Sequence, residues 1–226
     1  MCAACEVREF TFCSALDEEE LASIQSIVRQ LRLASGQTLF QEGDEADNVF
    51  NVVAGIIKLY KLLPDGRRQI TGFLSPGDFL GIAVGGRYSY NAEAVNEVTL
   101  CRFPRRQLYP LFDRFPKLEH RLLGIATDEL TAAQDQMLLL GRKTAAEKLA
   151  SFLLAMADRA GVNGGAGDPV PVPMTRTDVA DYLGLTVETV SRTLGRLKKA
   201  GLIRIPEAHV VVLDSRDALE EMAEGF

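Results

Sequence analysis

The sequence predicts an α+β chain in which short strands come first and helices follow, and three patterns carry that expectation. Between residues 35 and 103, turn signals recur about every 11 residues, at Glu42-Gly43-Asp44, Ala54-Gly55, Pro64-Asp65-Gly66 and Pro76-Gly77-Asp78. After Pro116 the texture changes to one long apolar periodicity of alternating threes and fours. From Thr175 to Asp214, two short helical patterns around a glycine are followed by two strand-like runs.

The strand region reads as an antiparallel sandwich or barrel, because NVFNVV, IIKLYKLL, RRQITGFL and VTLCRF are β-prone runs too short to be helices. Asp65-Gly66 predicts a hairpin, since glycine tolerates the positive φ of a tight turn. In KLEHRLLGIATDELTAAQDQMLLLG, the residues Leu123, Ala126, Leu130, Ala133, Met137 and Leu140 form a seam of the coiled-coil kind. Small alanines within it permit close approach of an identical helix, so a parallel homodimer is the expectation, against the alternative of a helix packed on its own strand domain. The run TAAEKLASFLLAMADRA predicts a further helix, and VNGGAGDP predicts a loop.

In TRTDVADYLGL, Thr177 ahead of Asp178 is the expected start of a helix that ends at Gly184. The next helix, TVETVSRTLGRLKKAG, is expected to open on Thr186 as N-cap, with Thr189 one turn later, and to close at Gly201. LIRI and HVVVLD would form a wing, and DSRDALEEMAE a closing helix. Glu188, Ser191 and Arg192 share one face near the start of the second helix, the end that a recognition helix presents to the major groove. Arg192 suits guanine O6 and N7, Glu188 suits cytosine N4, and Ser191 suits a base edge or thymine methyl. Thr186, Thr189, Arg196 and Lys198 complete the expected DNA-contacting set.

Composition bounds the class. The chain has 226 residues, 47% of them hydrophobic, and a net charge of −6, which argues against a nucleic-acid coat over the whole surface. Residues 174–204 nonetheless carry six basic against three acidic side chains, a local basic face. No apolar run approaches the roughly 18 residues needed to cross a bilayer, and the N-terminal residues show no basic region followed by an apolar core, so a cytoplasmic protein is expected. Enzymatic activity is not expected: the two histidines, His120 and His209, lie on the long helix and in the wing, without a nucleophile elbow or phosphate loop nearby.

Four cysteines remain, and three of them, Cys2, Cys5 and Cys13, crowd the N-terminus in a Cys-x2-Cys-x7-Cys spacing, with Cys101 far along the chain. In a reducing compartment such thiols are metal-directed or redox-active rather than a disulfide framework. Burial as a plain core thiol suits Cys101 alone, because no core is expected at a terminus.

MTRTDVADYLGLTVETVSRTLGRLKKAGLI closely resembles the DNA-binding helices of the CRP/FNR family of bacterial transcription regulators, and IIKLYKLLPDGRRQITGFLSPGDFLG resembles that family's sensor domain. The resemblance implies an antiparallel β-roll of the jelly-roll, cyclic-nucleotide-binding-like kind, a long dimerisation helix and a winged helix-turn-helix. Domains follow as 1–14, a cysteine-rich segment; 15–115, the β-roll; 116–141, the dimerisation helix; and 142–226, the DNA-binding domain. Within the family Glu188, Ser191 and Arg192 hold base-reading positions, and the FNR branch reads two-fold symmetric TTGAT-type half-sites and acts on RNA polymerase as an activator.

The cyclic-nucleotide branch of the family places a glutamate where Ile82 stands and an arginine-serine pair where Tyr88-Ser89 stands, with Arg87 one position away. No cyclic nucleotide is therefore expected. The oxygen-sensing branch, FnrN-like and FixK-related, instead carries three N-terminal cysteines and one in the β-roll that hold a [4Fe-4S] cluster, a pattern similar to Cys2, Cys5, Cys13 and Cys101. Zinc, a thiol-redox switch, or a cascade-controlled regulator without a cluster stand as alternatives. Only Met1 precedes Cys2, where the family usually has a longer leader, so either the start is misassigned or the terminus is short, and a short, frayed terminus is expected to hold the first ligand loosely.

Overall fold

The structure is a computed structural model that describes Cys2 and residues 5–83, 85–161 and 168–225. The chain divides into two compact units, 1–133 and 134–226.

In the first unit, eight strands among the described residues build two four-stranded sheets. They are β1 (Arg29–Leu33), β2 (Thr38–Phe40), β3 (Asn48–Ala54), β4 (Ile57–Leu62), β5 (Arg68–Leu74), β6 (Phe79–Leu80), β7 (Asn91–Ala94) and β8 (Val98–Pro104). The sheets run β1-β8-β3-β6 and β2-β7-β4-β5, and every pairing is antiparallel. The Asp65-Gly66 turn joins β4 to β5, with Leu63 N–H donating to Arg67 O at 2.8 Å. One core gathers Phe50 and Val52 of β3 with Val98 and Leu100 of β8, Ile57, Leu59 and Ala92.

Strand alternation sends the intervening residues to the opposite face. Val49 of β3 and Phe103 of β8 join a second core there, which docks the N-terminal segment and three helices onto the first sheet. These are α1 (Glu18–Ile27), α2 (Arg105–Arg114) and the start of α3 (Pro116–Arg142). A capping box between Asp17 and Glu20 starts α1, and Lys117 forms an ion pair with Glu20. Neither α1 nor α2 is announced by the sequence pattern.

Within the second unit, α4 (Ala145–Arg159), α5 (Arg176–Leu183), α6 (Val187–Lys199) and α7 (Arg216–Glu224) pack with the sheet β10-β11-β9, formed by β9 (Pro169–Pro171), β10 (Ile203–Glu207) and β11 (Val210–Leu213). The expected wing is β10–β11, and β9 is an unexpected third strand on its edge. Residues 162–167 of the expected loop lie outside the described residues. One start needs correction: α5 opens on Thr175, not Thr177. Thr175 Oγ1 accepts from Asp178 N–H at 3.0 Å while the Asp178 carboxylate accepts from Thr175 N–H at 3.2 Å, a reciprocal box that Thr177 is too near Asp178 to make. No helix among the described residues is long and apolar enough to cross a membrane.

Gly55, between β3 and β4, has φ of +81°, and a Cβ there would lie 2.2 Å from the backbone oxygen of Glu97. Gly66 has φ of +86° with nothing within 4 Å of its Cβ position. Gly66→Ala is expected to cost about 1–2 kcal/mol for the left-handed conformation alone. Gly55→Ala adds the backbone collision and is expected to cost at least about 3 kcal/mol. Denaturant unfolding followed by circular dichroism checks the ordering, and equal losses would contradict it.

Candidate thiol cavity and nucleic-acid interface

Cys2, Cys5, Cys13 and Cys101 all line one cavity of about 200 Å³ on the outer face of the first sheet. The wall is set by register: Gln30 of β1, Cys101 of β8 and Asn51 of β3 stand opposite one another across three neighbouring strands. The N-terminal segment is brought to that wall by Phe12, which is 1% exposed and meets Phe79 and Phe103 edge-on at 5.4 and 5.1 Å.

Local hydrogen bonds then shape the segment. Thr11, also buried, caps the 3-10 turn Phe12–Ala15: its Oγ1 accepts from Cys13 N–H at 3.3 Å and donates to Arg8 O at 3.0 Å. Arg8 donates to Leu16 O at 2.7 Å, and Cys5 N–H to Cys2 O at 3.3 Å. Asn51 Nδ2 reaches Cys13 Sγ at 4.0 Å.

All four thiols are free. Burial pushes the Cys13 thiol up to about 12, only partly offset by the Thr11 hydroxyl and reinforced by Cys2, Cys101 and Cys5. Burial likewise raises Cys101 to about 11, with Cys5 and Cys2 adding to it, and raises Cys2. Thiols that react as redox switches have depressed pKa values, so this environment is the reverse of one built for free thiolate chemistry. Positive charge placed among the sulfurs would reverse the shift, which is what a cationic metal group supplies. Among the described residues no three His, Cys, Asp or Glu side chains converge closely enough to hold a single metal ion. Four sulfurs around one cavity are a donor set that fits a metal group held by thiolates.

The positions that would meet a cyclic nucleotide are differently occupied. Tyr88 is 4% exposed and stacks on Phe40 at 3.7 Å and 11°, its hydroxyl donating to Asn48 O at 2.8 Å. Arg87 is exposed and donates to Gly43 O at 2.6 Å. Ile82 is exposed, and Gly81 N–H donates to the Tyr90 hydroxyl at 3.0 Å.

In the second unit, the hidden face of α6 is Val190, Thr193, Leu194 and Leu197, at the spacing a helix needs to bury one stripe. Glu188, Ser191, Arg192, Arg196 and Lys198 fall on the exposed remainder. Thr186 is the N-cap, its Oγ1 accepting from Thr189 N–H at 3.2 Å, and Arg192 Nη2 lies 3.5 Å from Thr189 Oγ1. The Glu188 carboxylate accepts from its own backbone N–H and from Thr186, which holds it below the usual carboxylate range. The turn into α6 is fixed by Gly184, at φ of +62°, and by the buried Lys148, whose Nζ donates to Leu183 O at 3.1 Å. An ammonium on the last carbonyls of α5 both satisfies a bond and complements the helix dipole.

Along α3, Leu123, Leu130, Ala133 and Met137 are exposed, while Ala126 and Leu140 are half-buried. Leu140 faces Gly184, where an added Cβ would lie 3.2 Å from its Cδ2. Leu123, Leu130 and Met137 are large apolar side chains exposed on this helix. Sequence reasoning missed Asn51, Thr11 and Phe12. Only Asn51 left a signal, a polar side chain inside an apolar strand run.

Residues 30–115 match the family described as Cyclic nucleotide-binding domain, and residues 147–222 match Crp-like helix-turn-helix domain. The chain is 45% identical to the nitrogen fixation regulation protein FixK of Bradyrhizobium diazoefficiens, over 94% of this chain and 90% of that protein. It is 34% identical to the fumarate and nitrate reduction regulatory protein of Escherichia coli K12, over 98% of this chain and 90% of that one. The solved structure of FixK2 from Bradyrhizobium japonicum superposes with a TM-score of 0.80 at 36% identity, covering 86% of this chain and 96% of that chain. With a β-sheet sensor unit, a long helix and a winged helix-turn-helix in that order, the chain belongs to the Crp/Fnr family of DNA-binding transcription regulators, of the FNR/FixK type.

Proposed function

We propose that this regulator responds to oxygen through a [4Fe-4S] cluster held by Cys2, Cys5, Cys13 and Cys101, and binds TTGAT-type palindromes as a homodimer when oxygen is low, to act on RNA polymerase. The observation that carries the reading is the meeting of all four thiols at one cavity, although Cys101 is far from the others in sequence. When bound, the cluster supplies an oxygen-sensitive iron–sulfide core. The residues of the chain do the rest. Thr11 and Phe12 hold Cys13 against the sheet, and Cys101 ties the group to the strand β8 that runs through the centre of it.

On DNA, Glu188, Ser191 and Arg192 of α6 read base edges, while Arg196 and Lys198 in its last turn neutralise phosphates. Dimerisation is supported by the exposed stripe of α3, since a palindrome read by two recognition helices calls for a two-fold partner.

Three outcomes are expected. Anaerobically prepared wild type should contain about four iron and four sulfide per chain and bind its palindrome tightly, whereas Cys101→Ser should lose both, because an alcohol replaces a thiolate poorly on iron. Wild type that binds zinc in place of iron, or that binds DNA equally well without any metal, would overturn the cluster reading. Arg192→Lys keeps the charge but loses the bidentate fork, so it should weaken the cognate site by about 1–3 kcal/mol and leave scrambled DNA unaffected; equal loss on both would make Arg192 a phosphate contact. Ala133→Asp sets like charges across the two-fold contact and should sediment as a monomer with poor palindrome affinity, and an unchanged dimer would move the interface away from this seam.

A further inference from the structure

The wall of the thiol cavity contains one polar side chain that packing does not explain. Asn51 is 2% exposed, on the outer face of β3 that it shares with Val49 and Val53, and it stands opposite Cys101 in register. Its Nδ2 lies 4.0 Å from Cys13 Sγ, within reach of an N–H to sulfur hydrogen bond. Its Oδ1 is buried without a hydrogen-bond partner among the described residues. An orphaned acceptor in a buried strand costs stability, and a branched aliphatic side chain such as those of its neighbours would fill the space without that cost. The amide is therefore oriented by the sulfur, at the expense of its own oxygen.

We propose that Asn51 is a positioning residue for the group held by the cysteines, its N–H fixing the Cys13 sulfur and placing positive charge density beside it. This inference rests on the cluster reading above. A donor to a ligating sulfur retains that ligand on the metal and favours the more negatively charged, reduced state of the group, so both ligand retention and redox potential should depend on it. Sequence distance hides the pair: Asn51 and Cys13 meet where Phe12 and its neighbours dock the N-terminal segment on the sheet that contains β3.

The test compares full-length wild type with Asn51→Leu, both reconstituted with iron and sulfide in the absence of oxygen. Three quantities are read: iron and sulfide per chain, the rate at which iron passes to a ferrous chelator under anaerobic conditions, and the midpoint potential of the loaded protein. Asn51→Leu is expected to load as the wild type does, to release iron about tenfold faster, and to show a lower potential. Asn51→Ala carries the same comparison where the bulkier leucine prevents folding. Loaded variants with the wild-type release rate and potential, whether or not they load less iron, would overturn the role of Asn51 and leave the cluster reading intact. A wild type that takes up no iron would overturn the cluster reading and the role of Asn51 with it.

Discussion

The thiol site depends on one aromatic contact. Phe12, seated edge-on between Phe79 and Phe103, pins the N-terminal segment to a sheet whose strands come from residues far along the chain. Removing a buried phenylalanine from such a site costs about 3–5 kcal/mol, comparable with the total stability of many small domains. Together with the buried Leu16, Phe12 seats Cys13 near Cys101, since the hydrogen bonds made by Thr11 and Arg8 are local to the segment. The apolar core thus creates the polar site.

Electrostatics then decides what the site can be. Three of the four thiols are raised by burial and by one another, two of them to about 11 and 12, so these sulfurs are protonated at neutral pH. A metal group taken up by these thiols would displace their protons, so its binding would strengthen as pH rises, and would go on strengthening to higher pH than for exposed thiols. On the proposed reading, loss of such a group would be felt at the centre of the first sheet. The cysteine-lined cavity lies beside β8, the strand that bonds to both β1 and β3. The long helix α3 begins in the same core, through Leu118, Leu122 and Ile125.

Much of this architecture was legible in the sequence because it is encoded locally. The hairpin at Asp65-Gly66, the alternation in VTLCRF, the cap at Thr186 and the stripe through Leu123, Leu130 and Met137 each depend on residues a few positions apart. What was hidden is of two kinds. Competing local signals misled one boundary: Thr175 and Thr177 both precede Asp178, and only the three-residue spacing of a capping box separates them. Strand register was not accessible at all, so the alignment of Gln30, Cys101 and Asn51 across three strands, and with it the placing of an amide beside Cys13, emerges only from the fold. The cysteines themselves were visible by their clustering, and their convergence on one cavity was an expectation that spacing alone did not establish.

The central claim is that the thiol-held group and DNA binding rise and fall together. The most direct measurement takes anaerobically prepared wild-type protein on its palindrome, admits air, and follows iron content and DNA affinity in the same sample over time. The account predicts one time course for both, with affinity falling toward the level seen on scrambled DNA as iron leaves. Undiminished affinity after complete loss of iron would contradict it.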